Sequence, residues 1–82
     1  MSVATETIEA ILAEHFPCEP ADVRCVVACV IGSHLDLCRP DTACAAKDEV
    51  ADILADQLDI DESPMAAAKS IASEYILCLE AE

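Results

Sequence analysis

The stretch IEAILAEHFPCEPAD, residues 8–22, contains the pattern on which the fold prediction depends. Its apolar residues recur at helical spacing and predict a first helix from Thr5 to Phe16, with Thr5 as N-cap. Pro17 ends this helix, and Pro20 suits the first position of a second helix, where a missing N–H costs nothing. The predicted inner face of the first helix consists of Ile8, Ile11, Leu12, His15 and Phe16.

The second helix is predicted from Pro20 to Cys38, where Arg39 and Pro40 stop it. It is the most apolar of the predicted helices, and we expect it to be central. His34 falls within its apolar face and is therefore expected to be buried and hydrogen-bonded. The predicted inner face consists of Val23, Val26, Val27, Val30, His34, Leu37 and Cys38.

Two further helices are predicted in the second half of the chain. The third begins after Asp41, with Thr42 available as a cap, and ends near Leu58; its predicted inner residues are Val50, Ile53, Leu54 and Leu58. The fourth runs from Pro64 to about Glu80 and is capped by Ser63. Its predicted inner residues are Met65, Ala68, Ile71, Ala72, Tyr75 and Leu79.

A weak internal repeat supports this layout. The segment IEAILAE, residues 8–14, parallels VADILAD, residues 50–56, and a short acidic, proline-containing turn follows each helix. Chance similarity between two amphipathic helices explains the match about as well as duplication does. The prediction is an all-α protein in which two successive helical hairpins form a compact four-helix bundle, with residues 1–82 as one domain.

The charge balance indicates the kind of partner. Seventeen Asp and Glu face four Lys and Arg, which gives a formal net charge of −13 at pH 7. Direct binding to nucleic acid or to an anionic membrane is disfavoured, because both require clustered basic residues. A basic protein surface is the expected partner. A homodimer is an open alternative, since a chain this small has a modest core.

The location expected from the sequence is the cytoplasm. The N-terminus has neither a basic region nor an apolar stretch typical of a signal peptide. The longest uncharged apolar run, Cys25 to Ile31, is far too short to span a bilayer. If a phage encodes the chain, the predicted location is the cytoplasm of its host.

Acidic residues cluster on the third predicted helix and in the loop after it. Asp48, Asp52 and Asp56, which we call the carboxylate ladder, are spaced by four residues. Like charges at this spacing each destabilise a helix by roughly 0.2–0.5 kcal/mol, so a partner-binding role would explain them. The alternative is an ordinary solvated outer face. The predicted partner-binding residues are Asp48, Glu49, Asp52, Asp56, Asp59, Asp61 and Glu62.

The cysteines and histidines are the other candidate chemical groups. Without a signal peptide, the six cysteines are expected to be reduced, with Cys38 and Cys78 filling the core. Cys25 and Cys29 form one pair at i,i+4 spacing, and His34 and Cys38 form another. At 100° per residue the two pairs face opposite ways, which argues against a joint metal site. No metal and no cofactor is therefore predicted.

The sequence contains no Gly-rich phosphate loop and no nucleophile elbow, so we predict that the protein is not an enzyme. Its size, acidity and helical character resemble those of acyl carrier proteins. However, residues 32–35, GSHL, lack the Asp of their Asp-Ser-Leu motif and lie inside a predicted helix.

The main functional hypothesis is a small acidic inhibitor or adaptor that binds a basic, nucleic-acid-binding protein and blocks it sterically. Anti-CRISPR, anti-restriction and toxin-immunity proteins carried by phages and plasmids share this size and charge. That comparison is one of physical class and not of sequence motif. The alternatives are a thiol-based metal-binding or redox-sensing helical protein, and a structural subunit that is acidic only for solubility.

Overall fold

The computed structural model describes residues 3–58 and 63–81, and this part of the chain forms four α-helices. They are α1 (Thr5–His15), α2 (Ala21–Cys38), α3 (Ala43–Gln57) and α4 (Met65–Ala81). Their ends lie within one or two residues of the predicted ones. The all-α prediction is therefore confirmed.

The helices pack as two successive hairpins. α1 packs mainly against α2, and α3 packs mainly against α4. Contacts between α1 and α4 and between α2 and α3 then join the hairpins into a four-helix bundle measuring 34 × 21 × 19 Å. This is the predicted architecture. Within the described ranges, no helix is both long enough and apolar enough to cross a bilayer.

Local signals explain most of the helix ends. Thr42 is the N-cap of α3, and its Oγ1 accepts a hydrogen bond from the Ala45 N–H at 3.1 Å. Arg39 ends α2 in the left-handed conformation, with φ 44°, before the predicted stop at proline. The prediction that Thr5 caps α1 is wrong. Ala4 is the N-cap there, without a side-chain hydrogen bond, and Thr5 is the first helical residue.

The core lies between all four helices and contains aliphatic side chains from each of them. The inner faces predicted for α1, α3 and α4 are confirmed in the main, although Met65 at the start of α4 is 37% exposed. Because these side chains are shielded from water, they supply most of the driving force for folding. The largest fully buried side chains are Ile8, Leu12, Ile31, Leu35, Leu54, Ile71, Val27 and Val50.

The inner face predicted for α2 is wrong. Only Val27 of the predicted set is fully buried, and Leu37 is 85% exposed. The observed inner face lies about 100° further around the helix than the predicted one, at 100° per residue. It consists of Val27, Ala28, Ile31 and Leu35.

The close approach of α1 explains the observed face of α2. Ala28 is fully buried, and a Cβ atom added to Gly32 would lie 3.8 Å from Ile8 Cδ1 and 3.9 Å from Thr5 Oγ1. Small residues on this side of α2 let α1 pack closely, while the larger valines on the other side remain at the surface. The helix is apolar over much of its circumference, so hydrophobicity alone did not identify the face that packs.

Gly32→Ala is expected to raise the free energy of unfolding by about 0.5–1 kcal/mol, because glycine inside a helix is that much less favourable than alanine. The new methyl group would make ordinary van der Waals contacts at 3.8 Å and 3.9 Å. Thermal unfolding followed by circular dichroism measures the change. A lower melting temperature would mean that α1 lies closer to Gly32 than the structure shows.

Candidate functional site

The carboxylate ladder lies on the outer face of α3. Asp48, Asp52 and Asp56 are all exposed, whereas Val50 and Leu54 bury the opposite face. Four residues advance a helix by about 6 Å, so successive carboxylates are spaced by roughly that distance along the axis. All three side chains are accessible to a partner. Outside the described residues lie the remaining predicted members Asp59, Asp61 and Glu62.

Glu49, the other predicted member on α3, pairs with α2. Its Oε1 lies 3.2 Å from His34 Nε2, so the imidazole N–H can donate to the carboxylate. The His34 side chain is 36% exposed, and the Glu49 side chain is 35% exposed. The hydrogen bonding predicted for His34 is confirmed, but its predicted burial is wrong. Both residues lie at the surface where α2 meets α3.

An apolar stripe is exposed on α2. Val26 is 58% exposed, Val30 37% and Leu37 85%. The spacings of four and seven residues place these side chains within about 40° of one another around the helix. We call them the α2 stripe. Exposed apolar side chains that share one face of a helix are candidates for an interaction surface. Helical spacing predicted the same three residues to lie in the core, and that prediction is wrong.

A shallow groove between α2 and α3 lies at one end of the α2 stripe. Val26 and Gln57 line this groove together with Asp22, and its volume is about 220 Å³. Gln57 Nε2 donates in turn to Asp56 Oδ2 at 3.4 Å. One end of the stripe is thus a single side chain away from the last carboxylate of the ladder. The α2–α3 side is the surface that the stripe and the ladder form together.

Both lysines of the chain lie elsewhere on the bundle. Lys47 and Lys69 line a groove between α3 and α4, together with Cys44 and Ser73. Arg24 Nη1 donates to the Glu19 carbonyl oxygen at 2.7 Å, at the turn before α2. The two lysines therefore border the α4 side of α3 and not the outer face on which the ladder lies.

The six cysteines are all within the described residues and are free thiols. Cys78 is partly buried against the core, close to its predicted role, but the prediction that Cys38 fills the core is wrong, because the rotation of α2 leaves it exposed. The negative charge of Glu9, followed by that of Cys29, raises the pKa of the Cys25 thiol. A raised pKa lowers the thiolate fraction, which disfavours Cys25 as a redox-reactive group.

His34, Cys38 and Glu49 form a cluster of three metal-ligand side chains from two helices. Cys38 Sγ lies 3.9 Å from His34 Nδ1, and one ligand atom from each residue lies within 4.8 Å of the others. The i,i+4 pair on α2 was evident from the sequence, but its third member, Glu49, was not. The i,i+4 spacing identifies a pair within one helix, whereas the register between two helices cannot be derived from spacing.

The α2–α3 side offers two kinds of chemistry. Its carboxylates and apolar side chains suit contact with a basic protein, and the His34–Cys38–Glu49 cluster suits a cation.

No protein-family model, curated protein or solved structure matches this chain.

Proposed function

We propose that the protein is a small acidic inhibitor or adaptor that binds a basic protein surface through its α2–α3 side. The observation that carries this proposal is the exposed α2 stripe, one end of which is a single side chain away from Asp56 of the ladder. An apolar centre with a polar rim is the usual anatomy of a protein–protein interface. The formal net charge of −13 selects a basic partner over an acidic one.

The two parts of this surface have different energetic roles. Exposed ion pairs contribute only about 0–1 kcal/mol each, so the ladder alone provides modest affinity. Burial of the α2 stripe against a partner would provide more, because fully burying a Val or Leu side chain contributes about 1.5–3 kcal/mol. The ladder would instead steer the partner in solution and exclude acidic proteins.

A nucleic-acid-binding protein is the partner class that fits the ladder best. Successive ladder carboxylates are about 6 Å apart along the axis, so the ladder presents a regular row of negative charges, as a nucleic-acid strand does. Asp48, Asp52 and Asp56 would occupy a Lys/Arg groove and block nucleic acid sterically. This mechanism is that of nucleic-acid-mimicking inhibitors such as anti-CRISPR and anti-restriction proteins.

Substitution of all three ladder residues (Asp48→Asn, Asp52→Asn and Asp56→Asn) is expected to weaken partner binding about 10–100-fold without unfolding the domain. The native protein, immobilised, would first capture partners from a lysate of the source cell. The affinity of the purified partner for both forms is then measured by calorimetry at several salt concentrations. Competition with double-stranded DNA and with RNA tests whether the ladder occupies a nucleic-acid site.

The matched control removes the same number of charges from other faces, through Glu6→Gln, Glu14→Gln and Glu74→Gln, all at exposed positions. This control is expected to change affinity by less than about threefold, because distant exposed charges are screened by salt. Equal losses in both variants would show that net charge, and not the ladder, governs binding. Binding that salt leaves unchanged would exclude the proposed mechanism altogether.

A further inference from the structure

Three side chains that commonly bind metals converge where α2 meets α3. His34 and Cys38 are one turn apart on α2, so they emerge from nearly the same face, and Glu49 reaches them from α3. One ligand atom from each lies within 4.8 Å of the other two. Within residues 3–58 and 63–81, no other group of three His, Cys, Asp or Glu residues comes this close.

The ligand atoms of this cluster are near the spacing of a tetrahedral ion, but His34 presents a different ring nitrogen to each of the other two residues. Zinc binds nitrogen and carboxylate oxygen at about 2.0–2.2 Å and sulfur at about 2.3 Å, which places its ligand atoms about 3.4–3.6 Å apart. His34 Nε2 is 3.2 Å from Glu49 Oε1, and His34 Nδ1 is 3.9 Å from Cys38 Sγ. Only one ring nitrogen would bind the ion. Since all three side chains lie at the surface, rotation about their terminal torsions can bring the ligand atoms to these distances.

We propose that His34, Cys38 and Glu49 form a binding site for a zinc-type divalent cation. The donor set selects the metal, because thiolate and imidazole favour zinc, whereas magnesium and calcium prefer oxygen ligands alone. Binding deprotonates the Cys38 thiol and releases that proton to solvent. Three protein ligands leave the fourth tetrahedral position to water, as in zinc sites that keep an open position.

This site would be partly organised before the metal arrives. The existing hydrogen bond between His34 and Glu49 already holds the two helices in register at this point. A bound cation would replace that single contact with bonds from both helices to one ion. Because the ion binds the folded bundle and not the unfolded chain, it would also stabilise the fold. The inference is independent of the proposed docking function.

Cobalt(II) titration of the metal-free, reduced protein tests the site directly. Bound by a thiolate in tetrahedral geometry, cobalt gives a near-ultraviolet charge-transfer band and visible d–d bands, with an expected stoichiometry of one ion per chain. Zinc is then added to displace the cobalt.

Cys38→Ser is expected to abolish the charge-transfer band. Glu49→Gln is expected to weaken zinc binding at least about tenfold, since even residues that only hydrogen-bond to metal ligands contribute 10–100-fold. Glu49→Gln keeps a hydrogen-bond acceptor for His34, so its effect reports metal binding and not packing.

The matched control is the double variant Cys25→Ser and Cys29→Ser, which removes the other i,i+4 thiol pair. It is expected to keep the cobalt spectrum, the stoichiometry and the rise in melting temperature with zinc. A spectrum that survives Cys38→Ser but disappears in the control would place the metal at the other pair and overturn the proposal. So would native protein that shows no cobalt–thiolate absorption.

Discussion

Leu35→Ala is expected to lower the free energy of unfolding by about 2–5 kcal/mol, whereas Leu37→Ala is expected to change it by less than about 0.5 kcal/mol. The two leucines are neighbours on α2, but Leu35 is 1% exposed and Leu37 is 85% exposed. Truncation of Leu35 leaves a cavity in the core, while truncation of Leu37 removes a side chain already in water. Urea unfolding followed by circular dichroism measures both changes.

Each substitution serves as the control for the other, because both replace Leu by Ala in the same helix and change helix propensity equally. Small domains are stable by only about 5–15 kcal/mol, so Leu35→Met provides a milder version should the alanine variant not fold. A larger loss for Leu37→Ala would mean that the valine-rich face of α2 packs inward. The orientation of α2 in the bundle would then be incorrect.

Joint replacement of Val26 and Leu37 by Ser is expected to lower the affinity for the captured partner by a factor of about 100 or more. Burial of these two side chains would contribute several kcal/mol, and each 1.4 kcal/mol corresponds to a tenfold change in affinity. The fold itself is expected to remain stable, since the two side chains are 58% and 85% exposed in the free protein. Calorimetric titration and urea unfolding measure the two properties separately.

Met65→Ser with Leu77→Ser provides the matched control on α4, where these side chains are 37% and 58% exposed. This variant removes similar apolar surface from another side of the bundle and is expected to change affinity by less than about threefold. If the α4 variant loses binding and the α2 variant keeps it, the docking surface is on α4 and the proposed role of the α2 stripe is wrong.

Local sequence signals were sufficient to predict the helices and their order. Pro17 and Pro20 bound the first turn, Thr42 supplies the cap of α3, and Ser63 accepts a hydrogen bond from the Met65 N–H at 3.3 Å. These signals work because proline geometry and capping hydrogen bonds involve only residues close in sequence. The failure at Thr5 is a shift of one residue, at a helix end that uses no side-chain cap.

The orientation of α2 could not be predicted in the same way. Its valines outline one apolar face, while Ala28, Ile31 and Leu35 outline another, and the bundle buries the second. Gly32 on this side lets Ile8 of α1 approach, which a hydrophobicity pattern does not reveal. The α2 stripe and Cys38 are exposed because the bundle buries this other face of α2.

The four helices, the acidity and the position of the ladder on the outside of α3 follow from the amino-acid sequence, because each depends on residue type and on spacing within one helix. The packing of the four helices instead sets which face of α2 is buried, and brings Glu49 to His34 and Cys38. These contacts join residues on different helices. Their register depends on how side chains of different size pack together, which no spacing within a single helix specifies.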